Sequence, residues 1–564
     1  KTAYEIPKRD WSSDVCSSDL DLHFLPLGGS GEIGMNLNLY EYGGQWLMVD
    51  LGVTFADDGA PGIEVQMPDP QFIVERRDKL IGLVLTHAHE DHLGAVQYLW
   101  PELRCPIWAT PFTAAFLRRK LAETDFADEV EIHIVEMGSR FRIGPFDLEM
   151  VTLTHSIPEP NGLAIRTPAG TVFHTGDWKI DPDPLVGDVT DDARLRTIGD
   201  DGVLALVGDS TNALKEGESG SEGEVREALT ALFRQFSGRI AVACFASNVA
   251  RLESIAVAAK ANGRDCALVG RSLWRIHDTA KETGYLRGLP EFVDERDAGF
   301  IPRERLVMIC TGSQGEPRAA LTRIARDEHP HVVLEKDDVV IFSSRVIPGN
   351  ERGVLRLQNS LAHLGVTLVT DDTHPKVHVS GHPCRGELAR MYQWVRPRIA
   401  IPVHGEALHM QAHAELAKTC QVPYALVPEN GTLIRLSPDG AEIVDRVHTG
   451  RLAVDGDRLL PIGGAVLRHR SRLMWNGAVV ATVVIDRKGR LAVPPRISAP
   501  GLLDPETDIE LAQEIVEAIE AGVGRAKKGA TDEKVEEAIR RSIRDLIRER
   551  RDGKPIIDVH LIRV

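Results

Sequence analysis

The sequence predicts an α/β fold. It should combine layered strands carrying histidine-rich turns, a parallel-sheet block set between them, and a small α+β unit at the end. Three observations predict this. Apolar runs such as Ile81-Gly82-Leu83-Val84-Leu85, Thr171-Val172-Phe173 and Leu204-Ala205-Leu206-Val207 each end in a short polar turn. From about Glu222 that pattern gives way to βα alternation, and after about Pro375 it returns. The last hundred residues carry two amphipathic helical stretches and one alternating strand.

The elements follow in chain order. Leu22 to Leu27 reads as a strand, then the glycine run Gly28 to Gly34, strand Asn36 to Tyr40, a Gly43-Gly44 hairpin and strand Gln45 to Asp50. The glycine run lacks the lysine of a phosphate loop and leads into a strand, not a helix, so it is not read as a nucleotide site. Strand 81–86 is followed by helices from Leu93 to Leu99 and Thr113 to Leu121, and by paired strands near 130–135 and 146–153. In the middle block, helix Glu224 to Phe236, strand Ile240 to Cys244, a helix near 250–261 and the buried-strand runs 267–270, 306–309 and 338–342 predict a parallel sheet. Near the end, Leu511, Ile515 and Ile519 form one helix face. Thr531 is the expected N-cap of a second helix, with Asp532 and Glu533 in its first turn. The arginines of that helix are interspersed with acids and read as a solvated face.

These readings divide the chain into 21–221 and 376–447 as two parts of one domain, 222–375 as an insertion, 448–465 as a linker and 466–564 as the terminal domain. A length of 564 residues is too great for one core and suggests three or four units. Residues 1–20 are set aside as a non-homologous leader. Trp11 to Asp19 has neither signal-peptide nor transit-peptide layout and resembles sequencing-adapter read-through.

Bulk chemistry narrows the function. No apolar run approaches the roughly 18 residues of a membrane span. The seven cysteines include no Cys-x-x-Cys pair, which argues against disulfides and thiolate zinc and fits a reducing cytoplasm. A net charge of −17 argues mildly against a nucleic-acid partner, although metals and a local basic groove can outweigh the global sign.

The densest chemistry is Thr86-His87-Ala88-His89-Glu90-Asp91-His92 at the mouth of a strand. Buried as core, these groups would each cost several kcal/mol unless paired. Around a divalent ion they are in place, because imidazole and carboxylate both suit one. In extended backbone His87 and His89 project to one side, while Asp91 and His92 follow a turn and can face a second ion. His155, Asp177 and His404 sit in other strand-end turns. The expected sets are His87, His89 and His155 on one metal and Asp91, His92 and His404 on the other, with Asp177 bridging. A bridging carboxylate holds two ions at a spacing that lets them share one hydroxide. Zinc is expected for so nitrogen-rich a set, with manganese as the alternative. Asp50 is expected to orient a ligand histidine. His174 reads as packed, His409 and His413 as a surface helix. His378 and His382 flank Ser380-Gly381 in a turn suited to a phosphate or leaving-group oxygen, with His382 as general acid.

His-Ala-His-Glu-Asp-His (87–92), Thr-His-Ser (154–156), His-Thr-Gly-Asp-Trp-Lys (174–179) and Pro-Val-His-Gly-Glu (402–406) resemble the metallo-β-lactamase superfamily. With Gly-Asp-Ser-Thr-Asn (208–212), Phe-Ala-Ser-Asn (245–248) and His-Val-Ser-Gly-His (378–382), the chain resembles the bacterial ribonuclease J family of the β-CASP branch, from residue 21 onward. The resemblance implies an αββα sandwich with an inserted β-CASP domain. It also implies a dizinc ribonuclease, a 5′-to-3′ exonuclease with some endonuclease activity, in rRNA maturation and mRNA decay. His382, Asp91 and Asp177 become the candidate catalytic residues. Ser247, Asn248 and Val249, with His378, Val379, Ser380, Gly381 and His382, would hold the RNA's phosphates. Ala250 stands where the family typically has histidine, which puts one outer phosphate contact in doubt. Cytoplasmic homodimers or homotetramers, a preference for 5′-monophosphate ends and membership of an RNA-degrading complex are further implications. A DNA-processing β-CASP nuclease, a small-molecule metallo-hydrolase and a non-catalytic RNA-binding scaffold are the alternatives.

Overall fold

The computed structural model describes residues 21–56, 59–347, 349–526 and 530–564. The leader set aside above lies outside the described residues. The chain divides into two compact units: Met67–Gly450 with the described residues up to Thr54 make one, and Phe55–Gln66 with Arg451–Val564 the other.

Two sheets form the base of the first unit. One has eight strands in the order Gly440–Arg446, Thr432–Ser437, Leu22–Gly28, Leu37–Tyr42, Gln45–Val49, Leu80–Val84, Ile107–Ala109 and Ile132–Ile134. The other has seven, from Arg140–Ile143 through Phe146–Thr152, Asn161–Thr167, Gly170–His174, Ala205–Asp209 and Ile399–Val403 to Tyr424–Ala425. Their facing sides share one core, in which Phe24, Tyr40, Val49 and Val84 pack with Phe146, Leu163, Val172, Val207 and Ile401. The outer face of the second sheet is covered by helices. Leu195 and Ile198 of Asp192–Asp201, and Leu388 and Met391 of Arg385–Val395, pack against Phe173 and Leu206. Two facing sheets with helices outside are the build that the family resemblance implies.

Parallel pairing is what positions the chemistry. His174 lies opposite Val207, and Asp209 opposite Val403, so three strands in a row release their chains at the same edge. Val49 opposite Val84 does the same for Asp50 and the 87–92 turn on the other sheet. Ligands gather where parallel strands end, because only there does the backbone turn without a ladder to satisfy.

The middle block folds around an all-parallel six-stranded sheet, in the order Val293–Asp294, Asp265–Val269, Leu306–Cys310, Ile240–Ala243, Val339–Phe342 and Thr367–Val369. It has its own core on one face, including Met308, Leu321, Ile324 and Leu361. It is nonetheless tied to its surroundings. Tyr285 donates to Glu159 at 3.0 Å, and Arg275 and Arg119 pair with Glu123 and Glu282 across two helices.

In the second unit, Val479, Ala481 and Val483 of strand Ala478–Ile485 pack with Ile515 and Ile519 of helix Ile509–Arg525 and Ile539 and Ile543 of helix Asp532–Arg551. The arginines read from sequence as a solvated face include three in ion pairs: Arg540 with Glu536 on the same helix, and Arg550 and Arg551 with Glu514 and Asp508 outside it. Two expectations need correction. Residues 448–465 are not a linker: Arg451–Asp455 and Arg458–Pro461 form a hairpin about the Asp455-Gly456-Asp457 turn. Residues 55–66, assigned to the first domain, join this unit, with Ala60 and Ile63 packed on Ala453 and Leu467. A glycine- and proline-rich segment with two small apolar anchors gives no periodicity by which to read that.

Candidate metal centre

The 87–92 turn is built from below. Asp50, fully buried and with φ of +64°, accepts from Thr86 N at 2.8 Å and Thr86 Oγ1 at 2.9 Å, which pins the strand exit. Its Oδ2 also meets His92 Nδ1 at 2.7 Å, so Asp50 orients a histidine. Gly52 lies beneath the turn; a Cβ there would stand 1.7 Å from Asp91 O.

Three of the inward-facing imidazoles, His155, His87 and His92, have the outer nitrogen engaged by an oxygen. His155 Nδ1 lies 2.5 Å from Gly381 O, an acceptor only, so Nδ1 carries the proton and Nε2 is left as a bare donor atom for a cation. Thr86 Oγ1 gives its single proton to Asp50, so His87 Nδ1, at 3.0 Å, must donate to it. His92 donates through Nδ1 to Asp50, and His404 Nδ1 is held by the Asn36 amide, 2.9 Å from Nδ2 and 3.0 Å from Oδ1. Fixing a tautomer from behind in this way is how metal-ligating histidines are held.

The inner atoms converge. His87, His89, His155 and Asp177 each offer one ligand atom within 4.8 Å of the others, and so do Asp91, His92, Asp177 and His404. His89 Nδ1 lies 3.1 Å from His87 Nε2 and 3.0 Å from His155 Nε2. Asp177 Oδ2 is 3.9 Å from His87 and His155, 3.2 Å from His92 and 3.6 Å from His404. All seven sequence-predicted ligands are therefore brought to one place, and Asp177 belongs to both sets.

Whether this donor set suits a cation is answered by what it leaves unpaired. Asp177 Oδ1 and His404 Nε2 are buried and have no hydrogen-bond partner. Burial with no such partner costs roughly 1–3 kcal/mol per group, a cost that a divalent ion removes. Burial first, then neighbouring imidazoles, hold His87 and His155 well below the usual histidine range, in the neutral form that binds metal. His89 is likewise brought to about 4, mainly by burial. The nitrogen and oxygen donors fit divalent metal.

A second histidine pair lies alongside. His382 Nδ1 meets Asp209 Oδ2 at 2.8 Å, and its ring stacks on His404 with centroids 5.6 Å apart. Burial opposes its charged form, but Asp209 and then Asp177 outweigh it and lift the pKa to about 9 in the metal-free protein. Asp209, His382, Asp177 and His404 form a third group of converging donor atoms. Asp209 was not singled out from sequence, although it leaves its strand as Asp177 does. Asn212 fixes the turn, donating to Ser380 Oγ at 2.8 Å and His382 O at 2.9 Å. Gly381 permits the approach, since a Cβ there would stand 2.6 Å from His155 Cε1.

Of the remaining predicted residues, Asn248 caps helix Val249–Ala261 by accepting from Arg251 N at 2.8 Å, with Ser247 half-buried before it and Val249 buried. His378 lies 3.4 Å from Arg251 Nη1, which joins that helix to the 378–382 turn; Val379 is half-buried in the same turn. His174 is packed, bonded to Tyr40 OH at 2.9 Å. His413 departs from expectation: it is fully buried, 2.9 Å from Ser210 Oγ and 2.8 Å from Tyr392 OH, while His409 stays half-buried. Helical spacing alone cannot reveal partners that arrive from distant segments.

Comparison with known proteins agrees with this geometry. Family models match as "Beta-lactamase superfamily domain" over residues 53–195, "Ribonuclease J, beta-CASP domain" over 237–361, "Zn-dependent metallo-hydrolase RNA specificity domain" over 372–423 and "Ribonuclease J C-terminal domain" over 465–564. Ribonuclease J of Sinorhizobium meliloti is 45% identical, covering 97% of this chain and 98% of that protein. Ribonuclease J of Mycolicibacterium smegmatis is 39% identical, covering 96% and 97%. A crystal structure of a protein of unknown function from Enterococcus faecalis shares the fold, with a TM-score of 0.52 and 16% identity, over 74% of this chain and all of that one. With its metal-type cluster intact and such relatives along nearly its full length, the chain belongs to the ribonuclease J family of metal-dependent ribonucleases.

Proposed function

We propose that this ribonuclease holds two divalent cations, zinc by preference, and degrades RNA from its 5′ end in the 5′-to-3′ direction, with endonucleolytic cleavage as a second mode. The observation that carries the reading is the pair of overlapping donor sets sharing Asp177, whose Oδ1 has no protein partner. His87, His89 and His155 would hold one ion, Asp91, His92 and His404 the other, and Asp177 both. Bound there, the ions would lower the pKa of a water and offset the charge of a phosphodiester in its transition state.

The chain's own residues account for the rest. Asp50, Thr86 and Gly381 O hold His92, His87 and His155 in the tautomers that turn a lone pair inward, and the Asn36 amide positions His404. Asp209 holds His382 through Nδ1, leaving Nε2–H to deliver a proton to the departing ribose oxygen, a general-acid role. The start of helix Val249–Ala261, with Ser247 and Asn248, and the turn His378 to Gly381 would bind the phosphate at the 5′ end, because the positive end of a helix dipole favours an anion. We assign the activity to the cytoplasm, in rRNA maturation and mRNA decay, by homodimers or homotetramers that join RNA-degrading complexes. No helix among the described residues is long and apolar enough to cross a membrane.

The test is digestion of matched RNA and DNA bearing 5′-monophosphate, 5′-triphosphate or 5′-hydroxyl ends. Mononucleotides released processively from monophosphorylated RNA are the expected products. Equal cleavage of DNA, or release from the 3′ end, would overturn the reading.

A further inference from the structure

The phosphate pocket proposed above contains a cation problem. His378, its nearest imidazole, contacts Arg251 Nη1 through Nδ1 at 3.4 Å. The ring is also hydrogen-bonded to the Ser343 backbone, so His378 is a partnered imidazole and not a spare cation. Burial first, then Arg251, Arg345 and Lys179, keep it well below the usual histidine range. The nearby cations are mostly spent on carboxylates. Arg251 is fully buried and forked onto Glu222, Lys179 pairs with Asp181 at 2.7 Å, and Arg385 with Glu216 at 2.9 Å.

Arg345 differs. It leaves the strand Val339–Phe342 two residues after Ser343, whose hydroxyl accepts from Arg251 at 2.5 Å and donates to Val377 O at 2.6 Å. Its backbone is clamped by the buried Gln314: Nε2 donates to Arg345 O at 2.8 Å, and Oε1 accepts from Ile347 N at 2.8 Å. Its side chain is exposed and makes no ion pair among the described residues. Nη1 reaches only Asn212 Oδ1, at 3.3 Å, the amide whose other end holds Ser380 and the His382 carbonyl. A guanidinium on a fixed backbone, unneutralised and beside the turn, presents a fork that matches phosphate oxygens.

We propose that Arg345 recognises the charge of the RNA's terminal phosphate and so determines the preference for 5′-monophosphorylated ends. The proposal rests on the reading that this pocket receives the 5′ phosphate. His378 and Ser380 then contribute neutral hydrogen bonds, and Arg345 the cation. Through Asn212, the same arginine is linked to the segment that carries His382.

The test compares kcat and KM on 5′-monophosphate and 5′-hydroxyl RNAs of one sequence, for the parent, Arg345→Gln and Arg345→Lys, with metal content and melting temperature measured on each. The expected result is that Arg345→Gln lowers the monophosphate-to-hydroxyl ratio of kcat/KM about 10- to 100-fold, chiefly through KM. Arg345→Lys recovers part of it, keeping the charge without the fork. An Arg345→Gln enzyme with the parental ratio overturns the role of Arg345 and leaves the 5′-phosphate reading standing. A parent with no preference overturns both. Equal loss on the two RNAs, carried by kcat, would make Arg345 structural and overturn the proposal.

Discussion

The ligand cluster and the Arg251 network are both buried and polar, and they sit on either side of the 378–382 turn, yet they are finished differently. In the network, donors and acceptors balance inside the protein. Arg251 gives its protons to Glu222, Ser343 and His378, the Glu222 backbone N–H goes to Asp181, and Asp181 meets Lys179. In the cluster the outer atoms are satisfied, but inside, imidazole nitrogens face one another at 3.0 and 3.1 Å, and Asp177 Oδ1 and His404 Nε2 have no hydrogen-bond partner. A closed network stabilises and positions, whereas an inward-open one awaits a cation. Removing a member should therefore cost stability in the first and chemistry in the second.

The largest contrast is expected at Asp91 or His92. Alanine at either should reduce RNA cleavage at least about 1,000-fold, the scale of losing transition-state charge stabilisation, while gel-shift affinity for RNA stays near the parent's. Parental cleavage by the double variant would break the comparison outright. Next comes His382→Ala, expected to lower kcat about 100- to 10,000-fold with metal content unchanged. Asp209→Asn should act in the same direction with a smaller loss. Should His382→Ala also shed metal, the third donor group would be a ligand set and His382 part of it.

On the network side, Arg251→Met should destabilise the protein by about 3–5 kcal/mol in denaturant unfolding, because Glu222 is left charged and buried. The double variant Arg251→Met with Glu222→Met should recover most of that loss, and no recovery would contradict a balanced pair. The smallest effect is expected at Tyr392→Phe. His413 Nε2 would lose its partner inside the core, at about 1–3 kcal/mol, with kcat at the parental value.

The seven clustered residues were legible in sequence because each follows an apolar run into a polar turn, and parallel strands deliver such turns to one edge. His155, Asp177 and His404 were readable individually by that rule, although their convergence depends on registers such as Asp209 opposite Val403 that no local pattern encodes. Asp209 obeys the same rule and was passed over, since nothing local distinguishes a carboxylate that holds a histidine from one that caps a turn. The burial of His413 has no local signal, because its partners, Ser210 and Tyr392, are supplied by other segments. The hairpin at 451–461 was hidden by short strands and a charged turn, which look like a linker without their core partners. The closed network around Arg251 left no sequence signal: Glu222, Ser343 and His378 come from far-apart elements and none belongs to a local motif of ion pairing.

The most direct test of the central claim is a metal count on the purified chain and on Asp177→Ala, each stripped with chelator, reloaded with zinc and checked for fold by circular dichroism. About two ions per parent chain and a loss of bound zinc in the folded variant are expected, because both donor sets share that carboxylate. A folded Asp177→Ala protein that retains the parental count would contradict that claim.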